Sequence, residues 1–474
     1  MAITSIGIGS GLDVETIISK TVALEKRPLT QLQNTASSIQ TKISTYSQIK
    51  SLVSTLSDAA SKLTRDSAWN GMAVTSSNSG AVAVSVSGIA SATSFSMSVQ
   101  QLARSQSVAS AVVNKDAAVG AGTMAIQLGG WNSTTNPPAF TAGSTAAFNI
   151  SVSATDTMTS IATKINEADG GVTATVLRDA SGERLMLRSK TTGEESGFRI
   201  QVTEDSASPG LSKLAFDPQS SPGTGMAGNS IQYAQNAQAQ INGISVTSKT
   251  NVFADTIPGL TLTASKVTTE DVEVTSKSDT ASMKKNIQDF VDAYNAVNDL
   301  LGSVTKYDSD TKTAGVLQGD GTTVGLQSTL RSAMTAATGG TDALQTLSDL
   351  GIQMQRGGKL TVDATKLDTA LKTPETLKTF FAADPASGAT STGLGVRLKS
   401  LTARMLSFDG LMNNKSDALS AESKRNTDDQ DKVNKRADTL EKRMRAQYTA
   451  LDKQMANMSS LSTYMTQQIA KWNK

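Results

Sequence analysis

Two groups of residues in this sequence have the composition of ligand-binding loops, but each lacks residues that the chemistry requires. Gly7, Gly9 and Gly11 resemble a glycine-rich phosphate loop only in the number of glycines, since no strand pattern precedes them and no Lys-Ser or Lys-Thr pair follows. Asp308 and Asp310 begin like a calcium-binding loop, which also needs a central glycine and an acidic twelfth position, and both are missing. We therefore predict a flexible segment at the glycines and a solvated turn at the aspartates.

A third group of residues could supply a pair of catalytic carboxylates. Asp428, Asp429 and Asp431 lie close together, but they alternate with lysines and arginines in the pattern of a solvated helix face. The sequence has no histidine and no cysteine, which removes the side chain best suited to acid–base catalysis near neutral pH and every thiol nucleophile or disulfide. We predict no catalytic residue, no cofactor and no metal site, and we do not expect an enzyme.

The composition narrows the class of protein further. A chain of 474 residues is long enough for about three domains, and its aromatic content of 4% predicts cores built from small aliphatic side chains. Lysine and arginine number 44 against 42 acidic residues, so we expect no nucleic-acid partner. No apolar run is long enough to cross a bilayer, and no basic segment precedes an apolar one at the start, so we expect neither membrane insertion nor a cleaved secretory signal.

Helical periodicity is concentrated at the two ends of the chain. Asp13 is placed as the N-cap of a first helix, and Pro28 predicts a break before a second helix. Apolar residues then recur every seven positions in both end segments: Leu32, Ile39, Tyr46 and Val53 near the start, and Met444, Leu451, Met458, Met465 and Trp472 near the end. This repeat predicts a helix–helix seam, although a methionine- and tryptophan-bearing stripe could also contact lipid.

The middle of the chain has mostly strand patterns. Alternation at period two predicts strands near 82–86 and 95–99, and Asn242-Gly243 between two alternating runs predicts a hairpin. Residues 148–188 predict a strand, a helix over 157–168 and two more strands. We expect a loop-rich segment over 105–149, where Gly129 and Gly130 are breakers, and a linker or long loop over 205–229.

Helical spacing returns after residue 279. It predicts a helix bearing Phe290 and Tyr294, followed by helical segments over 322–337, 341–350 and 374–381 around a short strand at 359–362. The fold class that follows is a multidomain α+β protein in which terminal helices form a coiled-coil or helical-bundle leg, with nested β-rich domains inserted between them.

Several stretches together resemble bacterial flagellar filament cap proteins, also called hook-associated capping proteins. They are residues 9–18 (Gly-Ser-Gly-Leu-Asp-Val-Glu-Thr-Ile-Ile), 23–29, 99–104, 241–244 with 251–262, 290–297, and 350–352 with 359–363. Residues 157–166, 172–176 and 182–185 resemble an insert shared by flagellins and related axial proteins. The order of these stretches along the chain also resembles that of the family.

The resemblance implies a domain organisation and an assembly function. The expected parts are a leg (1–42 with 420–474), a helical bundle domain (43–77 with 275–419), a β-rich domain (78–106 with 228–274) and an inserted β-rich tip domain (107–227) containing the flagellin-like insert near 157–202. Proteins of this family form a ring at the filament tip and guide exported flagellin subunits into place. The implied partners are further copies of the chain in a ring of five or six, flagellin, the hook–filament junction protein and a cytoplasmic export chaperone. The implied location is the extracellular tip of the flagellum, reached through the flagellar type III export apparatus.

Our hypothesis assigns roles to the residues already named. The seven-residue repeats of both ends, including Trp472, would form the leg that contacts flagellin, and Phe290 with Tyr294 would make ring contacts. Two alternatives stay open: another axial flagellar protein, and a surface adhesin that binds host glycan or mucin. In the adhesin, a loop with Trp131, Asn132 and Phe140 would contact the sugar, and this activity could coexist with capping.

Overall fold

A computed structural model describes residues 13–338 and 344–472 and divides the chain into two compact units. The helical unit contains the described residues up to Trp69 and from Thr280 onwards, and the β unit contains Asn70–Asp279. The helices, in chain order, are α1 (Val14–Glu25), α2 (Arg27–Leu63), α3 (Met158–Glu167), α4 (Thr280–Thr305), α5 (Gly321–Thr335), α6 (Ala364–Ala370), α7 (Pro374–Ala382), α8 (Leu394–Leu406) and α9 (Leu411–Trp472).

The strands lie mainly in the β unit. In chain order they are β1 (Met72–Ser76), β2 (Val82–Val86), β3 (Thr93–Gln101), β4 (Ser107–Ala109), β5 (Gly122–Asn132), β6 (Ala139–Ala142), β7 (Phe148–Val152), β8 (Val172–Asp179), β9 (Gly182–Ser189), β10 (Gly197–Glu204), β11 (Ile231–Gln232), β12 (Ala237–Ile241), β13 (Ile244–Ser248), β14 (Val252–Ile257), β15 (Leu260–Ala264), β16 (Val272–Ser278), β17 (Tyr307–Asp308), β18 (Thr313–Ala314), β19 (Ile352–Met354) and β20 (Leu360–Val362).

The helical unit is organised around α2, which packs against α4, α8 and α9. Apolar side chains at three- and four-residue spacing face inward from these helices, as on α4, where Ile287, Val297 and Leu301 are all buried. Trp69 closes one end of this core: its ring stacks on Phe381 with centroids 5.4 Å apart, and its indole N–H donates to a backbone carbonyl of α2. The short hairpins β17–β18 and β19–β20 belong to the same unit.

The β unit contains two separate apolar clusters. One lies between a five-stranded sheet, in the order β1-β16-β3-β12-β13, and a three-stranded sheet, β14-β15-β2. The other includes α3 and two four-stranded sheets: β5 pairs with β10 along one edge and with β6 and β7 along the other, and the second sheet has the order β11-β4-β9-β8. The strand pairs are antiparallel, so short turns connect many of them.

The mixed fold class predicted from the sequence is confirmed: helices occupy both ends of the described chain, and β-rich domains lie between them in the sequence. The helix starting after Asp13 is also confirmed, because the Asp13 carboxylate accepts a hydrogen bond from the Thr16 backbone N–H at 3.1 Å. Asn242 and Gly243 form the predicted hairpin turn with φ of 48° and 81°, the left-handed geometry that this dipeptide favours.

The structure corrects two predictions in the β unit. Residues 105–149 are loop-rich but also contain the eleven-residue strand β5, which was not predicted. Gly129 lies within that strand, where a Cβ atom would come within 2.2 Å of the Thr141 carbonyl oxygen, so glycine permits close pairing and does not break the strand. Residues 205–229 form a long loop, one of the two predicted alternatives, and this loop is packed and not a free linker, because four apolar side chains in it are fully buried: Leu211, Leu214, Phe216 and Met226.

The predicted helix at 341–350 is also wrong in its described part. That part contains only a 3₁₀ turn, Leu347–Leu350, whose capping box is formed by Thr346 and Asp349. Positions 341–343 lie outside the described residues.

The side chain of Asn166 makes the hydrogen bonds that a neighbouring strand would make at the outer edge of the second four-stranded sheet. Its side-chain amide donates to the Ala174 carbonyl and accepts from the Ala174 N–H, both at 2.8 Å, and Ala174 lies on the edge strand β8. An edge strand otherwise presents unpaired backbone groups that can template pairing with another chain. The amide therefore satisfies the backbone and blocks this part of the edge.

We expect Asn166→Ala to lower the free energy of unfolding by about 2 kcal/mol, because two buried backbone groups lose their partner. Urea unfolding of the full chain measures the change, and light scattering detects self-association through the exposed edge. Asn149→Ala is the matched control, since Asn149 is an exposed strand residue in the same unit. Equal effects of the two substitutions would contradict this role of Asn166.

Candidate assembly surface

The two ends of the chain meet as antiparallel helices. Three polar contacts define the register: Lys50 Nζ donates to Asn413 Oδ1 at 2.7 Å, Arg436 pairs with Glu25 at 3.3 Å, and Arg445 pairs with Glu15. Positions on α1 and α2 decrease as positions on α9 increase, so α9 runs back along both helices. We call this assembly of α1, α2 and the facing part of α9 the stem.

Arg445 fixes the far end of the stem. Its guanidinium donates to both carboxylate oxygens of Glu15, at 2.8 and 2.6 Å, and also to Glu441 within α9. These hydrogen bonds lower the pKa of Glu15 and raise the pKa of Arg445. Both side chains are well exposed, so the bidentate geometry sets the register of the helices more than it adds stability.

Few side chains of the stem are buried outside the main helical core. Val14 and Ile18 on α1, Ile39 on α2, and Val433 and Ala437 on α9 supply this thin seam. Among the described residues, no side chain of α9 beyond Ala437 is buried. The stem therefore ends near Arg445, its outermost contact, and α9 continues from there to Trp472.

This continuation of α9 carries an exposed apolar stripe. Seven large apolar side chains here are between 38% and 66% exposed; they are Leu451, Met455, Met458, Leu461, Tyr464, Met465 and Ile469, and we call them the terminal stripe. A contiguous apolar surface of this kind on a helix marks an interaction site more often than an isolated exposed side chain does. The terminal stripe is the largest such feature on the part of α9 that the structure describes.

The predicted leg residues differ in exposure. Leu451, Met458 and Met465 belong to the terminal stripe, Met444 and Leu32 are half-buried, and the side chain of Trp472 lies outside those that the structure describes. Ile39, Tyr46 and Val53 are buried within the helical unit, so as folded here their side chains face the core of the chain itself and not a partner. Their spacing reports packing inside the chain, which a heptad pattern cannot distinguish from packing against a partner.

Tyr46 belongs to a polar clamp between three helices. Its hydroxyl donates to Asp320 Oδ1 at 2.5 Å and lies 2.8 Å from the Thr323 hydroxyl, and Lys415 at the start of α9 pairs with Asp320 at 2.7 Å. Burial and the neighbouring Asp320 raise the pKa of Tyr46. Burial alone would raise the pKa of Asp320, but hydrogen bonds from Lys415 and Tyr46 outweigh it and hold that pKa at about 2. The clamp joins the stem to the bundle.

Phe290 and Tyr294 do not lie on a surface. Both side chains are buried in the core of the helical unit, and the Phe290 ring meets Phe381 edge-on with centroids 6.2 Å apart. As folded here, neither side chain presents a surface for the predicted ring contact, because the core of the helical unit uses both.

Trp131 is also a core residue. It is only 4% exposed, its indole N–H donates to the Phe198 carbonyl at 2.9 Å, and its ring packs against Phe140, Phe216 and Tyr233. Phe140 is half-buried beneath the Arg199 guanidinium, and only Asn132 is exposed. The predicted glycan-contact loop therefore offers no open ring face for a sugar.

The carboxylates considered for catalysis or calcium binding have local roles. Asp308 accepts hydrogen bonds from the backbone N–H groups of Asp310 and Thr311 in a turn, and Asp429 pairs with Lys432 along α9. Within residues 13–338 and 344–472, no cluster of three or more acidic side chains is arranged to hold a metal ion. In the same ranges, no helix is both long and apolar enough to cross a membrane. The Gly7–Gly11 segment lies outside the described residues.

Comparison with known proteins identifies the family. Residues 10–106 match the family model of the flagellar hook-associated protein 2 N-terminus, and residues 234–460 match that of its C-terminus. The flagellar hook-associated protein 2 of Escherichia coli K12 is 30% identical over 98% of this chain and 98% of its own length. The chain belongs to the flagellar hook-associated protein 2 family.

Further relatives of the hook-associated protein 2 family support the same conclusion. The B-type protein of Pseudomonas aeruginosa PAO1 is 28% identical over 99% of this chain and 98% of its own length. The crystal structure of the D1-D2-D3 domains of the Escherichia coli flagellar cap protein FliD superposes with a TM-score of 0.58 at 27% identity, covering 79% of this chain and 99% of that one. Residues 139–191, which include α3, β8 and β9, match the flagellin hook IN motif.

The clamp at Asp320 was not predicted from the sequence of this hook-associated protein 2 family member. The residues Asp320-Gly321-Thr322-Thr323 carry an N-cap signal, and Asp320 does accept from the Thr323 N–H at 3.0 Å. A capping signal gives no information about Tyr46 and Lys415, which lie far away in sequence. Only the folded chain shows that one carboxylate caps α5 and holds both terminal helices.

Proposed function

We propose that this protein caps the distal end of the bacterial flagellar filament as a ring of copies and guides exported flagellin subunits into place. The observation that carries the proposal is the terminal stripe: a long helix, anchored at one end by the stem, extends an unpartnered apolar face. Family membership supports the cap, since the solved relative is described as a flagellar cap protein. The role is structural and needs no catalytic group.

The proposed location is the extracellular tip of the flagellum, reached through the flagellar export apparatus. A chain without cysteine has no disulfides to hold it folded, which suits passage through a narrow channel in an unfolded state. The proposed partners are further copies in a ring of five or six, flagellin, the hook–filament junction protein, and a cytoplasmic chaperone that covers the C-terminal helix before export.

We also propose the four-part organisation of a leg, a bundle domain, a β-rich domain and a tip domain. Three separate apolar clusters support it: one includes Tyr46 to Leu419 of the helical unit, one combines Val82–Ala103 with Ala237–Val274, and one spans Val108–Met226. The thin seam of the stem supports a leg distinct from the bundle. In this arrangement the leg contacts flagellin through the terminal stripe.

Deletion of the gene tests the proposal. We expect cells that retain hooks, lack filaments and release monomeric flagellin into the medium, as seen by electron microscopy and immunoblotting of the culture supernatant. Expression of the full chain from a plasmid should restore filaments. Filaments of normal length in the deletion strain would refute the capping function.

A further inference from the structure

An aromatic side chain projects from the corner between α8 and α9. Phe408 is 87% exposed, whereas Met405 and Met412, on either side of it in the sequence, are buried in the core of the helical unit. The side chain therefore contributes almost nothing to the fold that holds it. A phenylalanine exposed to this extent loses little stability on removal but offers a large apolar contact to a partner.

The corner that presents Phe408 is held in one conformation. Asn413 donates its side-chain amide to the carbonyls of Leu406 and Ser407, at 3.3 and 2.7 Å, and Asn414 donates to the Asp409 carbonyl at 3.0 Å. Gly410 lies against the backbone, where an added Cβ atom would come within 2.5 Å of the Met405 carbonyl oxygen. A preorganised loop gives up little conformational entropy on binding, which is the property of an anchor residue.

The same unit contains an apolar cavity of a size that matches this side chain. It is a half-open pocket of about 230 Å³, lined by Met334, Leu347, Ile352, Met354 and Leu360 together with Thr335, Thr346 and Ser348. Four of the five apolar side chains are buried, so the walls are already formed. An apolar cavity of about 150 Å³ is enough to hold a benzene molecule, so this cavity has room for a phenyl ring.

The projecting ring and the cavity lie at opposite ends of α5. Asp320, the N-cap of α5, pairs with Lys415 in the second turn of α9, close after the Phe408 corner, whereas Met334 and Thr335 of the cavity end the helix. A helix of 15 residues is about 22 Å long. Arg397, in the first turn of α8, donates to the Ala336 and Ala337 carbonyls beside the cavity. Phe408 follows the other end of α8, about 14 Å away. Phe408 therefore does not fill the cavity of its own chain.

We propose that Phe408 of one copy inserts into this cavity of the next copy and forms the head-to-tail contact between helical units. Two different, complementary surfaces on each copy make a heterologous contact, which generates a ring when the rotation closes. The formal net charge of +2 leaves little repulsion between copies. The inference rests on the proposed ring, and it names the residues that join its subunits.

Cross-linking tests the contact, because the natural chain has no cysteine to interfere. Asp409→Cys and Thr335→Cys, combined in one chain, place a thiol beside the ring and a thiol at the rim of the cavity; both native side chains are exposed. Within one copy the length of α8 separates these positions by about 14 Å, well beyond the ~7 Å that a disulfide permits. We expect oxidation of the concentrated protein to give a ladder of dimers, trimers and larger covalent species.

Adding Phe408→Ala to the double-cysteine chain should reduce the species above dimer at least tenfold, with an unchanged melting temperature. Ile89→Ala is the matched control, since Ile89 is 97% exposed but lies in the β unit. A ladder that is absent, or that persists with Phe408→Ala, would overturn the proposal.

A mixing experiment distinguishes a head-to-tail contact from a symmetric one. Phe408→Ala removes the phenyl side chain but keeps the cavity, and Thr335→Trp covers the cavity but keeps the phenyl side chain. Each variant alone should sediment as a monomer at concentrations where the unaltered chain associates, and an equal mixture should form dimers and nothing larger. Failure of the mixture to form dimers would contradict the proposed geometry.

These outcomes are separate from the test of capping itself. If Phe408→Ala associates normally but no longer binds flagellin, then flagellin and not a second copy occupies this surface, and the inference falls while capping stands. If the deletion strain keeps its filaments, capping fails whatever the cross-linking shows.

Discussion

Removal of residues 455–474 is expected to abolish filament growth while leaving a folded protein. The truncation deletes most of the terminal stripe, and none of the described side chains that it removes is buried. The core of the helical unit ends at Leu419, and the outermost polar contact of the stem, Arg445 to Glu15, is retained. The truncation should therefore impair partner binding and leave the melting temperature within a few degrees of that of the full chain.

Complementation of the deletion strain measures this effect. Cells that express the truncated chain should secrete it, keep their hooks and release flagellin, with few or no filaments in electron micrographs. Circular dichroism and sedimentation of the purified truncation check that it folds and associates as the full chain does. Filaments of normal number and length would show that the terminal stripe is not the leg.

A pair of substitutions makes the test independent of helix length. Met458→Ser with Met465→Ser removes apolar surface from the terminal stripe, whereas Thr463→Ser with Gln467→Ser changes the opposite face of the same helix. All four side chains are exposed, so both pairs should fold equally well. We expect only the methionine pair to lose filament growth, because burial of apolar side chains against a partner drives such binding.

Periodicity in the sequence predicted the helices well because the physics that produces it is local. A stripe at three- and four-residue spacing must face a core, and the buried residues of α4 and α3 follow it. The hairpin at Asn242 was predictable for a similar reason, since two adjacent residues determine the turn. In β5, by contrast, glycines suggested loop, and only the approach of β6 explains why a strand needs them there.

The candidate site was harder to predict, because a pattern of apolar residues does not name its partner. Tyr46 and Met458 occupy the same kind of heptad position, yet one is buried inside the chain and the other is exposed. The same ambiguity placed Phe290 at a ring contact when it lies in the core. Phe408 has no periodic neighbour at all, so no pattern in the sequence singles it out.

The clamp at Asp320 should control how firmly the terminal helices are attached to the bundle. We expect Asp320→Ala to lower the free energy of unfolding by about 3 kcal/mol, because it removes a helix cap and leaves the Tyr46 hydroxyl and Lys415 without their shared acceptor. Asp363→Ala is the matched control: Asp363 caps α6 by accepting from two backbone N–H groups but is exposed, so its loss should cost about 1 kcal/mol. Urea unfolding at neutral pH measures both changes, and equal losses would contradict the interhelical role of Asp320.

The pH dependence of stability distinguishes the effect of the Asp320 charge from that of its helix cap. The pKa of this carboxyl is about 2 in the folded chain and 3.8 ordinarily, so its ionised form stabilises the fold by about 2 kcal/mol at neutral pH. A lowered pKa means that this contribution is complete above about pH 5 and is lost as the pH falls toward 2. Asp320→Asn keeps a capping oxygen but has no charge, so the stability difference between it and the unaltered chain should shrink across that range. A difference that stays constant from pH 6 to pH 2.5 would show that the ion pair with Lys415 contributes nothing to attachment of the stem.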